Sequence, residues 1–261
     1  MKIAFFDSGI GGLSVLHHAM KVLPQAEFIF YADEDNVPYG TKSRAEVLAC
    51  VDAAFQFLTA QGVGAIVVAC NTATSVAVKA MRQKYSIPII GMEPALKVAL
   101  DAFPNRKVLV AATAITITGR KIQRLIETLH AAELAELRAL PRLVEFAERQ
   151  EFKSAAVTDY LRGELAGYDW AAFSSLVLGC THFNYFKDTL RELLPPHVKI
   201  LDGNAGTVNE LIRRTNLQPL LPAPYSLLPK IFYSGRRVTE AAELNRLEQF
   251  LRRLEEMEGL T

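Results

Sequence analysis

Two of the three cysteines stand in local sequences that could perform acid–base chemistry on a carbon atom. Cys70 and Cys180 each follow an apolar run and precede small polar residues at a predicted helix start. A helix N-terminus lowers a thiol pKa from about 8.5 and makes thiolate available. Two thiols on opposite walls of one cleft could remove a proton from one face of a carbon and return one to the other face. This pattern alone fits equally well if both cysteines are buried and have only a structural role. Cys50 lies inside a predicted helix, and we interpret it as such a buried structural cysteine.

A carboxylate and several neutral polar side chains accompany these cysteines at the ends of predicted strands. In open parallel sheets, ligands bind beyond the carboxyl ends of the strands, close to helix N-termini. Hydroxyl and amide groups suit a small polar substrate there, and the N–H groups of a helix N-terminus favour a carboxylate. Asp7 adds a negative charge suited to a cationic group or a proton. The neutral groups are Ser8, Asn71, Thr72 and Thr181.

Three other chemistries fit parts of the same sequence. Cys70, Cys180 and His182 could bind zinc, but the chain lacks the close paired spacings of structural zinc sites. His182 could serve as the base for a single thiol nucleophile, although such a partner usually lies far away in sequence. The turn 9–12 (Gly-Ile-Gly-Gly) begins like a dinucleotide-binding turn, but the third small-residue position is Ser14. We interpret it as a tight strand-to-helix turn.

Short apolar runs alternate with amphipathic helices along most of the chain, which is typical of a mostly parallel sheet covered on both faces. The sequence therefore predicts an α/β fold. Helices are predicted from about residue 12, over 44–60 and, as a surface helix, over 240–256, and the proline-rich segment 216–230 is predicted to be an extended connector. The similar surroundings of Cys70 and Cys180 indicate two similar halves, although two unrelated strand ends fit equally. The predicted strands are 3–6, 28–31, 65–69, 87–91, 108–112, 176–178 and 231–233.

The composition excludes several classes of protein. The 261 residues include 29 Lys+Arg and 28 Asp+Glu, and a net charge of +1 provides no global electrostatic reason to bind nucleic acid or anionic lipid. No apolar run has membrane-spanning length, and the sequence before the first predicted strand is too short for a signal peptide. Three cysteines without close spacing indicate a reducing compartment. We expect a cytoplasmic protein.

Four motifs, in the same order and at familiar separations, resemble those of the bacterial glutamate racemases. The similarity covers nearly the whole chain. The two cysteine motifs are similar to those of the wider aspartate/glutamate racemase group, and the other two indicate glutamate within it. Phe183-Asn184 stands where the family often has Tyr-Pro. The motifs are DSGIGGLS (7–14), PYGTK (38–42), ACNTAT (69–74) and GCTH (179–182).

The resemblance implies a two-base racemisation of L- and D-glutamate with no cofactor and no metal, which supplies D-glutamate for peptidoglycan. It implies that Cys70 works on the D enantiomer with help from Asp7, and that Cys180 works on the L enantiomer with help from His182 and a glutamate. That glutamate is Glu148 by position, with Glu145 and Glu151 as alternatives. The implied substrate-binding positions are Asp7, Ser8, Pro38, Tyr39, Gly40, Asn71, Thr72, Thr181 and His182.

The resemblance also implies an architecture and a set of partners. Two α/β domains face each other, the first formed by 1–96 plus 207–261 and the second by 97–206, with the active site in the cleft between them. The partner is a small-molecule substrate, with no nucleic acid and no membrane, and the family is commonly a homodimer. Two alternative functions stay open: racemisation of aspartate or another amino acid, and amino-acid binding without turnover.

Overall fold

Two mostly parallel sheets organise the computed structural model, which describes residues 1–220 and 229–260. Their inner strands are continuous apolar runs rich in β-branched and aromatic residues, as strands covered on both faces require. Most of the predicted connector 216–230 lies outside the described residues. The strands in chain order are β1 (Lys2–Asp7), β2 (Glu27–Ala32), β3 (Ala65–Val68), β4 (Ile89–Gly91), β5 (Lys107–Ala112), β6 (Ala135–Ala139), β7 (Phe173–Leu178), β8 (Lys199–Asp202), β9 (Lys230–Tyr233) and β10 (Arg236–Arg237).

Each sheet contains a point of reversal between two neighbouring strands whose onward connections leave in opposite directions. The first sheet has the order β10-β9-β2-β1-β3-β4, and all its pairs are parallel except β10 with β9. The second sheet has the order β6-β5-β7-β8 and is entirely parallel. The reversal lies between β1 and β3 in the first sheet and between β5 and β7 in the second. Ligand sites in such sheets form at these switch points.

Helices cover the sheets, and their ends follow local capping rules. Ser43 caps its helix with a complete capping box, in which its hydroxyl and the Glu46 side chain each accept from the other residue's backbone N–H. A short 3-10 helix also follows β7, over Thr181–Phe186. The helices are α1 (Leu13–Val22), α2 (Arg44–Ala60), α3 (Asn71–Lys84), α4 (Leu96–Ala102), α5 (Ala114–Thr118), α6 (Arg120–Thr128), α7 (Arg142–Glu148), α8 (Ala155–Leu165), α9 (Lys187–Leu193), α10 (Asn204–Thr215) and α11 (Ala241–Glu256).

One continuous apolar core connects the two sheets. It includes Phe5 and Phe30 of the first sheet, Leu109 and Leu176 of the second, and Phe250 of α11, all fully buried. Helix α11 buries one face of its amphipathic pattern here, as the sequence predicts, because residues three and four apart share a helix face. Within the described ranges, no helix combines the length and the apolar character that crossing a bilayer requires.

The predicted α/β fold and all seven predicted strands are confirmed, with ends that differ by at most three residues. Strands β6 and β8 were not predicted from the sequence. Both are edge strands whose sequences, AELRA and KILD, carry charged residues and expose part of their surface, so neither reads as a buried apolar run. The first sheet takes its strands from 2–91 and 230–237 and the second from 107–202. The domain ranges derived from the resemblance stay a prediction.

Candidate active site

The two switch points deliver Cys70 and Cys180 to one cavity. Cys70 lies two residues beyond the end of β3, and Cys180 two residues beyond the end of β7. The cavity has a volume of about 10 Å³, room for roughly one water molecule. The cavity is lined by Ser8, Pro38, Tyr39, Gly40, Cys70, Asn71, Thr72, Thr113, Val144, Cys180, Thr181 and His182.

The thiol of Cys70 is buried and tied to neighbouring polar groups. Its sulfur accepts from the Ala73 backbone N–H at 3.4 Å, which makes Cys70 the N-cap of α3. Its sulfur also lies 3.6 Å from Ser8 Oγ. Ser8 donates its only hydroxyl hydrogen to Asp7 Oδ1 at 3.2 Å, so the Cys70 thiol is the donor to Ser8. A hydrogen-bonded chain therefore runs from thiol to hydroxyl to carboxylate.

The position of Cys70 at a helix start predicts a lowered thiol pKa, and this prediction is wrong. Burial raises the pKa of Cys70 to about 12, and the negative charge of Asp7 adds to the effect. The Ala73 backbone N–H, and the Ser8 hydroxyl once it turns to donate to a thiolate, act in the opposite direction without outweighing burial. Cys70 is therefore a protonated thiol in the substrate-free protein at neutral pH.

Asp7 connects the two sides of the cavity. One carboxylate oxygen accepts from the Gly9 backbone N–H at 3.1 Å, and the other accepts from the Thr181 hydroxyl at 2.9 Å. Thr181 follows β7 of the second sheet, so this bond joins residues 174 positions apart in sequence. Burial raises the pKa of Asp7, although the nearby His182 charge opposes that shift. Asp7 can therefore hold or release a proton beside the Cys70–Ser8 chain.

His182 links Cys180 to a glutamate. Its Nδ1 lies 3.8 Å from the Cys180 sulfur, and its Nε2 forms a 2.6 Å hydrogen bond with Glu148 Oε1. Burial alone lowers the pKa of His182, but the hydrogen bonds to Cys180 and Glu148 together raise it well above its ordinary value. An imidazolium at this position stabilises negative charge on the Cys180 sulfur.

Among the three candidate glutamates, Glu148 is the one in contact with His182. Glu148 ends α7 with its side chain largely buried. Glu145, one turn earlier, is more than half exposed and forms an ion pair with Arg149. Glu151 accepts from the Ser154 hydroxyl instead.

The glycine turn 9–12 allows side chains of α7 and of the 3-10 helix after β7 to approach the backbone closely. A Cβ atom at Gly9 would lie 2.0 Å from Glu148 Oε1, and one at Gly11 would lie 2.4 Å from His182 Nδ1. The Ile10 N–H donates to Glu148 Oε1 at 3.1 Å. Two carboxylates, Asp7 and Glu148, therefore occupy the position that a pyrophosphate requires, and the turn does not match a dinucleotide site.

We expect Gly11→Ala to lower kcat about tenfold or more for the reaction that the resemblance implies. A Cβ at Gly11 displaces His182 from Cys180, and a misplaced catalytic group slows a reaction strongly. Overpacking also destabilises the fold by about 1–3 kcal/mol. Gly163→Ala in α8 is the matched control, since a Cβ there meets nothing within 4 Å. That control is expected to keep full activity with stability equal or higher. Steady-state kinetics and thermal unfolding compare the two, and equal kcat values would show that the turn tolerates a side chain.

Other predicted site residues line the same cavity. Some of their polar groups already have hydrogen-bond partners, and others have none. The Tyr39 hydroxyl donates to Asp33 at 2.6 Å, so its hydrogen is already in use. Thr72 shares a 2.8 Å hydrogen bond with Thr113. The buried side-chain amide of Asn71 has no hydrogen-bond partner among the described residues, so both of its polar atoms are available to a ligand.

Sequence reasoning missed Thr113 and Val144 as cavity residues. Thr113 follows β5 directly and caps α5, so the rule that ligands bind beyond the carboxyl ends of strands could have indicated it. Val144 lies on α7 and carries no such signal. Among the described residues, no cluster of three or more His, Cys, Asp or Glu side chains is arranged to hold a metal ion, so the zinc set considered from the sequence does not form.

Each of the two sheets therefore delivers one thiol to a shared cavity. A sequence model of the Asp/Glu/hydantoin racemase family matches residues 14–211, and the chain belongs to this family. The resemblance drawn from the four motifs is confirmed.

Several similar proteins are named glutamate racemases. The chain is 52% identical to the glutamate racemase of Campylobacter concisus over the full length of both proteins. It is 48% identical to that of Campylobacter curvus over 98% of each chain. Among solved structures, it is similar to Escherichia coli glutamate racemase in complex with L-glutamate and the activator UDP-MurNAc-ala. The TM-score is 0.80 and the identity 28%, covering 97% of this chain and 94% of the other.

Proposed function

We propose that this protein interconverts L- and D-glutamate by two-base racemisation, with Cys70 and Cys180 as the two bases. The observation that carries the proposal is the meeting of both buried thiols at one cavity, each beside its own acid group. The names of relatives up to 52% identical over the whole chain support glutamate as the substrate.

In the proposed reaction, one sulfur acts as a thiolate and the other as a thiol at each turnover. The Cys180 thiolate removes the α-proton of L-glutamate, which breaks the Cα–H bond and leaves its electron pair on the carbon. The Cys70 thiol then donates its proton to the opposite face, which gives D-glutamate and leaves Cys70 as a thiolate. The reverse reaction starts from that state. The raised pKa of Cys70 supports its role as the thiol that donates a proton in the L-to-D direction.

The surroundings of the thiols supply the stabilisation that a weak carbon acid needs. An α-hydrogen is far less acidic than a thiol, so fixed donors and exclusion of water must stabilise the developing carbanion. The N-terminus of α3 and the free Asn71 amide are suited to the substrate carboxylates, and Ser8 and Thr181 add hydroxyl groups. Asp7 accepts or returns the Cys70 proton through Ser8, and His182 with Glu148 supports charge on Cys180.

Polarimetry on L- and D-glutamate, with no cofactor added, tests the proposal. Both enantiomers are expected to lose optical rotation toward the same endpoint, and L-glutamate in D₂O should gain α-deuterium with inversion. A panel of amino acids tests the substrate, with glutamate expected to react fastest and a clear preference for aspartate contradicting our assignment. Ligand-induced stabilisation without α-hydrogen exchange would indicate a binding protein that lacks turnover.

We further propose that the protein acts in the cytoplasm, where it supplies D-glutamate for peptidoglycan, and that it is a homodimer. The reducing compartment suggested by its three cysteines supports the first proposal. The dimer rests on family resemblance, and light scattering coupled to gel filtration tests it. A monomeric mass at concentrations at which the enzyme is active would contradict the dimer.

A further inference from the structure

Arg246, on α11, contacts the glutamate that holds His182. Its guanidinium donates to the Glu148 backbone carbonyl at 3.2 Å and lies 3.9 Å from Glu148 Oε2. The same guanidinium lies 3.7 Å from Glu34 Oε1 and 3.4 Å from Glu243 Oε2. Three carboxylates therefore share one largely buried cation at the edge of the active site.

The two carboxylate oxygens of Glu148 are in very different situations. Oε1 accepts from the Ile10 N–H and pairs with His182. Oε2 is buried and accepts no hydrogen bond from any residue that the structure describes. A buried, unpaired carboxylate oxygen is costly unless a charge compensates it. Arg246 is the cation placed to do so.

Glu34 is a second acid on the opposite side of Arg246. It begins the 3-10 turn that follows β2, its side chain is largely buried, and its Oε1 has no hydrogen-bond partner within the described ranges. Burial raises the pKa of Glu34 to about 7, and the negative charge of Glu148 adds to this shift. The charges of Arg246 and His182 act in the opposite direction. Glu34 therefore changes its charge near neutral pH within reach of the His182–Glu148 pair.

Charged and titratable groups from several elements surround the cluster of Arg246, Glu34 and Glu148. Glu34 and Glu148 place negative charge beside His182, and Arg246 places positive charge there. The phenols of Tyr185 and Tyr233 have pKa values raised first by burial and then by these carboxylates, so both are neutral at ordinary pH. The further charged groups are Asp7 of β1 and Glu243 of α11.

We propose that Arg246 and Glu34 are positioning residues that control whether His182 in the His182–Glu148 pair carries a proton. Their charges act on the pKa of His182 in opposite directions. The guanidinium anchors Glu148 and disfavours a positive charge on His182, whereas the ionised Glu34 carboxylate favours it. Such electrostatic coupling is reciprocal, so the charge on His182 affects Glu34 as much as Glu34 affects His182. The inference rests on the proposed function, because it concerns the pair assigned to the Cys180 side.

The test is an NMR titration of the His182 imidazole in the ¹⁵N-histidine-labelled protein. Glu34→Gln removes a negative charge and is expected to lower the midpoint of His182 by about half to one pH unit, and Arg246→Gln is expected to raise it by a similar amount. Glu148 keeps its bonds to the Ile10 N–H and to His182 in Arg246→Gln, so the change of charge decides the midpoint, and KM should stay within about twofold since Arg246 does not line the cavity. A merely structural role does not produce midpoint shifts of opposite sign.

Arg252→Gln is the matched control, because Arg252 lies on the same helix but is mostly exposed and pairs with Glu248. It should leave the His182 midpoint and kcat unchanged. Arg246→Lys keeps the charge and should restore most of the wild-type His182 midpoint. If Arg246→Gln does not fold, Glu34→Gln alone tests the coupling. Shifts of the same sign, or values matching Arg252→Gln, would overturn the inference. The proposed function fails separately if the wild-type protein does not racemise glutamate although the substitutions at Glu34 and Arg246 still shift the His182 midpoint.

Discussion

Cys70→Ala and Cys180→Ala are each expected to lower kcat for glutamate racemisation by about 10³-fold or more, since a positioned acid or base contributes roughly 10²–10⁴ and each variant removes one of the two proton carriers. Both thiols are buried and line the same cavity, so water cannot readily replace either of them. Their partners differ, with Ser8 and Asp7 beside one and His182 beside the other. Loss of either thiol therefore stops inversion in both directions.

Isotope exchange separates the roles of the two thiols. In D₂O, Cys180→Ala retains the thiol assigned to D-glutamate, so any residual α-hydrogen exchange should appear with that enantiomer. Cys70→Ala should show the opposite preference. Exchange of the same enantiomer by both variants would contradict the facial assignment without removing the two-thiol mechanism.

Cys50→Ala provides the matched control for the cysteine variants. Cys50 lies on α2, outside the cavity, and its replacement should leave kcat within about twofold of the wild type. Thermal unfolding of all three variants checks folding, with an expected cost of about 1 kcal/mol at the buried sites. Normal turnover by folded Cys70→Ala or Cys180→Ala would rule out the proposed mechanism.

Glu148→Gln is expected to lower kcat by about 10²-fold, because His182 loses the carboxylate that keeps it protonated and an acid–base group contributes at least that much. The 2.6 Å bond to Glu148 and the Cys180 contact raise the pKa of His182 against the effect of burial. In the variant, burial acts with less opposition and the pKa of His182 falls. The imidazolium that stabilises charge on Cys180 is then less populated at neutral pH.

The pH dependence of this variant has a definite sign. A histidine with a raised pKa is fully protonated below its ordinary value near 6.5 and loses its proton only as the pH rises through the raised value. Activity that needs the imidazolium therefore decreases on the alkaline side. Glu148→Gln should move that alkaline limb of kcat/KM to lower pH, and a ¹⁵N NMR titration of His182 should move in the same direction.

Glu145→Gln is the control for Glu148→Gln, because it makes the same chemical change one turn earlier on α7. Glu145 is more than half exposed, and its i,i+4 ion pair with Arg149 is weak. We expect its kcat and pH profile to match the wild type. An effect of Glu145→Gln equal to that of Glu148→Gln would show that the supporting glutamate is misassigned.

Local sequence determined the fold class and the positions of both cysteines. Continuous apolar runs followed by small polar residues define buried parallel strands and their carboxyl ends, and this signal needs no information from distant residues. It placed Cys70 and Cys180 correctly after β3 and β7. The same signal failed for the edge strands β6 and β8, because a strand covered on fewer sides keeps charged residues.

The tertiary structure alone decided how the site groups are protonated and which acid supports His182. Glu145, Glu148 and Glu151 lie within seven residues of one another, and only the packing of α7 against the glycine turn brings Glu148 to His182. The pKa of Cys70 rises although its helix position predicts the opposite, because burial beside Asp7 outweighs the helix N-terminus. Proton affinity depends on burial and on charges brought together from distant parts of the chain, and local sequence contains neither.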